Sequence, residues 1–479
     1  MPKYEANLVV IGAGSAGLVS AYIAAAVNAK VILIEKHKMG GDCLNTGCVP
    51  SKALLKSAKV ASLVRRGLDY GLQDAPTEVK VNFPAVMERV HKVIAEIAPH
   101  DSVKRYTELG VECVQGEAVL VDKHTVQVGS RTITAKNIIL AAGARPFVPP
   151  IPGIDTVDYL TSDSVWDLKE LPKDLVVLGG GPIGCELSQA FAKLGSNVTT
   201  VELAPQLMGR EDTDVAELIK KDFEDSGINV LINHKAVQIE EGKVHCEKSD
   251  GTKIEVPFDK LIVAVGRKAN SDKIQGLDKL GVELNRNGTI VTNDYLQSTT
   301  VSSIYACGDI AGPYQFTHTA AHQAWFCTVN ALFGPFKRFK VNYDVIPWAT
   351  FTSPEVARVG INEAEAKQKD LLYQVSKYGM DDLDRAICDG TAHGFVKVIT
   401  KEGTDKILGV TIVHENASDL IAEYVLAMKQ KIGLNKIMGT IHLYPSNAEA
   451  NKYVAGVWKR QNKPEGLLNF VRKFHEWRR

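Results

Sequence analysis

The 479-residue sequence predicts an α/β fold of several domains, and three observations predict it. An apolar strand near the amino terminus runs into a glycine-rich turn, a helix and a second strand. The same unit returns further along the chain. The length accommodates about three domains at roughly 100 to 200 residues each. Composition agrees with folded protein: 45% hydrophobic and 23% charged residues, with 39 Gly and 19 Pro, exclude collagen-like or disordered bias. Lys and Arg total 56 and Asp and Glu total 56, so no global field favours nucleic acid or an anionic surface. Eight Cys are too sparse for a disulfide-stapled secreted fold, and MPKYEANLVV leads into a strand without a basic, cleavable leader, so a cytoplasmic, reducing compartment is expected. The longest apolar runs, such as Leu8–Ile11 and Leu261–Val265, fall far short of the ~20 residues that span a bilayer.

Leu8–Ile11 reads as the first strand. It feeds Gly12-Ala13-Gly14-Ser15-Ala16-Gly17, an Ala-rich helix over Leu18–Val27, and a strand Val31–Ile34 that ends in Glu35. The order strand, G-x-G-x-x-G, helix, strand, acid has a mechanism. The glycines let backbone N–H groups approach a pyrophosphate at a helix N-terminus, and the acid accepts the ribose hydroxyls. A lone motif of this kind also occurs as an ordinary glycine turn; here the strand, helix and acid are all in place and predict a Rossmann-like dinucleotide site.

The unit repeats as the strand Leu175–Leu178, Gly179-Gly180-Gly181-Pro182-Ile183-Gly184, a helix through Leu194, and a strand Asn197–Val201 ending in Glu202. Glu202 stands as far from Gly184 as Glu35 does from Gly17. An acid there repels a 2′-phosphate and accepts a free 2′-hydroxyl, and no Arg follows until Arg210, so the second nucleotide is expected to be NAD, not NADP.

Between the units lies Gly40-Gly41-Asp42-Cys43-Leu44-Asn45-Thr46-Gly47-Cys48-Val49-Pro50-Ser51-Lys52, followed by a helix over Ala53–Val64. Cysteines near the positive end of a helix gain thiolate character, which suits disulfide exchange. A zinc half-site and two inert buried cysteines are the other readings. Cys113, Cys185, Cys246, Cys307, Cys327 and Cys388 supply no second paired half-site and are expected in the core.

With these motifs the chain resembles the class I pyridine nucleotide-disulfide oxidoreductases over essentially its whole length. GGDCLNTGCVPSKAL is similar to the family's redox-active segment, Ile138–Pro146 (IILAAGARP) to its crossover strand, and Ile304–Asp309 (IYACGD) to its second flavin motif. The resemblance implies FAD on the first unit, held by Gly12, Gly14, Ser15, Gly17, Glu35, Lys52, Ala118, Gly143, Asp309 and Thr317. It implies NAD(H) on the second, held by Gly179, Gly181, Ile183, Gly184, Glu202 and Gly266. Cys48 is implied as the flavin-proximal sulfur and Cys43 as the one that exchanges with substrate. Lys52 is implied against the flavin ring, paired with Glu186; a cation there stabilises charge that arrives with hydride. Pro182 takes a position where several relatives carry a bulky side chain over the nicotinamide, so access is expected to be less gated.

The disulfide-reducing members place a catalytic His directly before a Pro, with a Glu four residues beyond that Pro. Here the chain reads Ile441-His442-Leu443-Tyr444-Pro445-Ser446-Asn447-Ala448-Glu449, so Glu449 is retained and Tyr444 takes the His position. Tyrosine's ordinary pKa near 10 lies well above that of histidine, which disfavours it as a resting base but leaves it able to donate a hydrogen bond. His442 is offset from the base position and is expected to be structural. Mercuric reductases carry a Tyr at the comparable place but end in an adjacent cysteine pair, whereas this sequence ends His475-Glu476-Trp477-Arg478-Arg479 and has seven residues before its first strand.

The expected organisation is an α/β protein with two Rossmann-like dinucleotide-binding domains, for FAD and NAD, plus a C-terminal α+β dimerisation domain. The FAD domain covers residues 1–146 and 276–345, the NAD domain 147–275, and the interface domain 346–479. The implied activity is mercuric-reductase-like transfer from NADH through FAD and Cys43–Cys48 to a small disulfide, thiol or soft-metal acceptor. Dihydrolipoamide dehydrogenase action on a lipoyl protein, with Tyr444 and Glu449 as a weakly basic pair, and a redox-sensing flavoprotein are the alternatives. A homodimer is implied. No metal site is expected: His318 and His322, four apart on a helix, are expected to pack beneath the flavin. Leu467, Val471, Phe474 and Trp477, with Arg472, Lys473, Arg478 and Arg479, predict a basic amphipathic helix that packs on the parent dimer, membrane contact being the alternative.

Overall fold

In the computed structural model, which describes residues 3–74 and 76–479, strand Ala6–Ile11 pairs in parallel with Val31–Glu35 on one side and Arg131–Leu140 on the other. Glu112–Gln115 extends this sheet beyond Val31–Glu35, and Ile304–Ala306 joins Arg131–Leu140 in parallel. Ala118–Asp122 and Thr125–Val128 fold back antiparallel at the far edge, making seven strands among the described residues. The parallel strands are apolar along nearly their whole length because helices or loops cover both faces. Leu8, Val10, Leu33 and Ile139 face the helices Ser15–Ala26 and Thr317–Phe333, where Ala21, Ala24, Ala320 and Ala324 let the two helices approach closely. Val9, Ile32, Ile138 and Ile304 form the core on the other face.

A second parallel sheet runs in the order Asn229–Ile232, Asn197–Glu202, Asp174–Leu178, Lys260–Val263, Tyr159–Leu160. The antiparallel meander of His234–Glu240, Lys243–Lys248 and Lys253–Pro257 accompanies it. Both sheets belong to one compact unit, Met1–Pro205 with Phe223–Asn342.

The other unit comprises Gln206–Asp222 and Tyr343–Arg479. Its antiparallel sheet runs Pro347–Thr350, Glu355–Gly360, Ile407–His414, Phe395–Lys401, Tyr373–Gly379. Helices Ala417–Lys429 and Glu449–Gln461 cover it through Tyr424, Val454 and Trp458. Residues 206–222, which lie within the 147–275 span expected for the NAD domain, are part of this compact unit. The physical reason is charge. Lys397 and Arg358 are each about 1% exposed, and Lys397 Nζ reaches Asp212 and Asp214 at 2.7 Å, while Arg358 lies against Glu211 at 3.4 Å.

One smaller expectation also differs. Cys388 is exposed and Cys113 half-buried, whereas Cys185, Cys246, Cys307 and Cys327 are in the core. The last helix, Glu465–Arg478, buries no residue within this chain. Among the described residues no helix is long and apolar enough to cross a membrane.

Candidate active site

The two glycine turns have the same local construction. Gly12 and Gly179 adopt φ of 101° and 109°, and a Cβ on either would lie 2.5 Å from Ala141 O or 2.4 Å from Ala264 O. Gly17 and Gly184 hold helix against strand so closely that a Cβ would meet Gly12 O at 1.7 Å or Gly179 O at 1.9 Å. These positions serve the fold of the turn. Gly14 and Gly181 serve its mouth: a Cβ on Gly181 would meet nothing within 4 Å, and one on Gly14 only Gly41 at 3.9 Å. Helices Ser15–Ala26 and Pro182–Leu194 start there with no side-chain cap, which suits binding of a pyrophosphate by first-turn N–H groups, Pro182 itself having none to give.

Each acid closes its turn in the same manner. Glu35 accepts from Ala13 N and His37 N, both at 2.7 Å; Glu202 accepts from Gly180 N at 2.5 Å and Ala204 N at 2.6 Å. Both carboxylates are thus fixed at the ends of their second strands, with lone pairs remaining for ribose hydroxyls. Ala118 is buried at the start of Ala118–Asp122. Gly143 and Gly266, with φ of 67° and 140°, have nothing near their missing Cβ positions.

Cys43 lies in a short helix, Gly41–Asn45, and Cys48 is the first residue of Cys48–Arg65. The loop between them is pinned at several points. Asn45 Nδ2 donates to Met39 O and Gly41 O at 3.0 and 2.8 Å, and buried Trp166 donates to Thr46 O at 2.8 Å. Cys43 is half-buried and Cys48 exposed. Cys48 Sγ lies 3.4 Å from the hydroxyl of Thr317, at the start of helix Thr317–Phe333.

The thiols differ sharply in acidity. The hydrogen bond from Cys43, helped by Thr317 and Lys52, overcomes burial and Asp42 to hold Cys48 down to about 6. That same hydrogen bond to Cys48, with burial, drives Cys43 well above the usual thiol range. One proton therefore sits on Cys43, and the charge sits on Cys48. One turn along from Cys48, Lys52 Nζ meets Glu186 Oε2 at 2.8 Å, with Glu186 only 8% exposed. Asp309 follows strand Ile304–Ala306; burial raises its carboxyl to about 6, and Arg267 approaches it no closer than 3.9 Å. A largely buried carboxylate with its cation that distant fits a ligand hydroxyl. Thr319 Oγ1, buried in the same helix as Thr317, has no hydrogen-bond partner and fits the same reading. The residues implied for FAD therefore suit a flavin dinucleotide.

His318 stacks on Phe316 at 5.3 Å, and His322 bonds Asn342 O at 3.1 Å. Among the described residues no group of three or more His, Cys, Asp or Glu converges.

The C-terminal unit arranges its own candidates differently from the expected pair. Tyr444 is 64% exposed and donates to Asp384 Oδ2 at 3.0 Å, which raises its pKa. Buried Glu449 accepts from Ser446 N at 3.3 Å and from Tyr453 at 3.2 Å. His442 is locked between Glu423 at 3.0 Å and Thr440 O at 3.0 Å. Asp384 had no signal in the sequence, because it lies 60 residues from Tyr444. Asp42 stood inside the cysteine motif and Arg267 directly after Gly266, both without an assigned part, and the two ion-pair at 2.9 Å.

The family model described as pyridine nucleotide-disulphide oxidoreductase matches residues 6–324, and that of the same family's dimerisation domain matches 346–455, which supports a homodimer. A mercuric reductase of Bacillus cereus is 36% identical over 454 residues, covering 94% of this chain and 71% of that protein. A dihydrolipoyl dehydrogenase of Chlamydia trachomatis is 34% identical over 449 residues, covering 92% and 94%. Among solved structures, the HOCl-induced flavoprotein disulfide reductase RclA from Escherichia coli superposes with TM-score 0.83 at 26% identity, covering 94% of this chain and 99% of that one. A Cu(II) complex of the same reductase gives TM-score 0.82 at 27% identity, covering 93% and 98%.

Proposed function

The chain belongs to the pyridine nucleotide-disulphide oxidoreductases, and on that premise we propose that it passes electrons from NADH through FAD and the Cys43–Cys48 disulfide to a soft-metal or thiol/disulfide acceptor. Family members use a flavin and a nicotinamide nucleotide. The single observation that carries the reading is the placement of the pair: Cys43 and Cys48 flank a pinned loop at the head of helix Cys48–Arg65, with the Thr317 hydroxyl 3.4 Å from Cys48 Sγ and the Lys52–Glu186 pair one turn on. FAD, when bound, supplies the two-electron relay between NADH and the disulfide.

The residues do the rest. The disulfide takes up two electrons and one proton, leaving the Cys43 thiol and the Cys48 thiolate. Lys52, held by Glu186, supplies fixed positive charge beside that thiolate. With a disulfide acceptor, Cys43 attacks one sulfur as its proton passes to the acceptor's other sulfur, which leaves as a thiol. The Cys48 thiolate then attacks Cys43, reforms the intramolecular disulfide and releases the second acceptor sulfur as a thiolate. Glu202 at the second turn favours NADH over NADPH by repelling a 2′-phosphate. The reading includes a homodimer whose C-terminal unit completes the neighbouring site.

Tyr444 bears on the choice of acceptor. Its hydrogen bond to Asp384 raises its pKa, so near neutral pH even less of it is ionised to act as a base than of a free tyrosine, and reactions that require deprotonation of a thiol substrate are disfavoured. That observation favours an acceptor needing no base, such as a soft metal presented as a thiolate complex, as the mercuric reductase relative's name suggests. The experiment is anaerobic mixing of the holoenzyme with NADH, then with lipoamide or a mercuric thiolate complex, for wild type and Cys43→Ser. We expect the variant's flavin to be reduced while acceptor turnover falls at least 100-fold. Undiminished acceptor turnover in Cys43→Ser overturns the reading; fast wild-type turnover of lipoamide returns it to dihydrolipoamide dehydrogenase.

A further inference from the structure

Asp42 precedes the exchanging cysteine, and its carboxylate is engaged on both oxygens. Oδ1 accepts from the Thr46 hydroxyl at 2.6 Å, inside the redox loop. Oδ2 meets Arg267 at 2.9 Å. Arg267 comes from strand Arg267–Ala269, is 12% exposed, donates to Ala144 O at 2.9 Å, and lies 3.9 Å from Asp309. One guanidinium thus stands between two carboxylates, one beside the cysteine pair and one at the flavin motif.

The charges around the pair make Asp42 unusual. Lys52, from the helix that Cys48 begins, stabilises the thiolate but is tied to Glu186. Thr317 helps from its own helix, and Asp309 opposes from the loop after Ile304–Ala306. Asp163 is itself pushed up by burial and by Asp42. Asp42 is a carboxylate that pushes the pKa of both cysteines up, behind their mutual hydrogen bond and burial, and Arg267 is the cation paired with it at 2.9 Å.

We propose that Asp42 and Arg267 form an opposed pair that sets how readily the Cys43–Cys48 disulfide is reduced, with Arg267 acting as a positioning residue through Asp42. The proposal rests on the reading of Cys43 and Cys48 as the redox pair. Reduction adds two electrons and one proton and creates one thiolate; a neighbouring carboxylate penalises that product, and a guanidinium bound to the carboxylate relieves the penalty. Removing Asp42's charge should therefore make the disulfide easier to reduce and the thiolate form at lower pH. Removing Arg267's charge should do the reverse. A merely structural role would move both variants in one direction.

The test uses the holoenzyme of wild type, Asp42→Asn, Arg267→Gln, the double variant, and Arg267→Lys as the charge-keeping control. Each is equilibrated with the dithiothreitol couple, and its free cysteines are counted by alkylation and mass spectrometry across pH. We expect Asp42→Asn to shift the equilibrium toward the dithiol by about threefold to tenfold, tenfold being ~30 mV, and to lower the thiolate midpoint. Arg267→Gln should shift both readings oppositely, Arg267→Lys should stay near wild type, and the double variant should resemble Asp42→Asn, because Arg267 has nothing left to temper. Shifts of the same sign, no shift, or an Arg267→Gln effect that persists in the Asp42→Asn background overturns the inference. Asp42→Thr repeats the measurement should Asp42→Asn fold poorly. The dithiothreitol equilibrium needs no NADH, so failure of NADH to reduce the pair would count against the proposed function and leave this measurement valid.

Discussion

Cys48 and Tyr444 show how single side chains decide chemistry here. Cys48 is held from 9.0 down to about 6 by the hydrogen bond from Cys43, with Thr317 and Lys52 assisting. Its folded value lies below its unfolded one. The thiolate therefore stabilises the reduced protein fully above about pH 9, and the contribution is lost as pH falls through about 6. Alkylation of the reduced protein should follow that charge: Cys48 should label with a midpoint near pH 6 while Cys43 lags through neutral pH. Mass spectrometry of each cysteine checks this, and equal rates at pH 7 would contradict the assignment. Tyr444 tests the other half of the site. Replacing it with His restores a group that can hold a proton near neutral pH, so Tyr444→His should raise dihydrolipoamide turnover with NAD at least tenfold at pH 7. An unchanged rate would mean that the missing base is not what limits thiol substrates. Both residues were legible in the sequence by position; Asp384, which keeps Tyr444 protonated, was not, because a contact across 60 residues leaves no local pattern.

The strand, turn and helix units were the most readable elements, for a physical reason. A β-branched run, a turn that only Gly can make and an Ala-rich helix each constrain residue type locally, and the observed Ala6–Ile11, Ser15–Ala26 and Asp174–Leu178 lie within a few residues of the expected limits. The helix Gly41–Asn45 was not readable, since five residues show no period and its form depends on Asn45 and Trp166. The equivalence of the two units predicts separable effects. A methyl on Gly184 would come within 1.9 Å of Gly179 O and push helix Pro182–Leu194 off strand Asp174–Leu178. Gly184→Ala should weaken NADH at least tenfold, read as the concentration dependence of flavin reduction in rapid mixing, while bound flavin remains at wild-type stoichiometry. Loss of flavin from this variant would show that the two units do not act separately.

At the scale of the whole molecule, the C-terminal unit is assembled from two stretches of chain, and charge binds them together. Lys397 meets Asp212 and Asp214 at 2.7 Å and Glu363 at 3.1 Å, while Arg358 stacks 4.2 Å over Trp348 and reaches Glu365 at 3.0 Å. Nothing in the sequence announces this, because lysine and carboxylates are ordinarily surface residues and their pairing spans more than 180 positions. A buried pair adds little net stability, yet removing one partner is costly because the other charges stay buried. Lys397→Met should therefore destabilise the protein by ~3–5 kcal/mol in urea unfolding, and adding Asp212→Asn should recover part of the loss. Acid acts on the same cluster. Burial opposes ionisation of Asp214, but Lys377 and Lys397 outweigh it and hold its carboxyl below 3.8, so its stabilisation is complete above that value and fades as pH falls beneath it. In Lys397→Met that acid-side loss should begin at higher pH, because the carboxylates lose the cation that kept them ionised. If Lys397→Met stays within about 1 kcal/mol of wild type, segment 206–222 is held mainly by the apolar burial of Val215, Ala216 and Ile219, and the charges are only tolerated there.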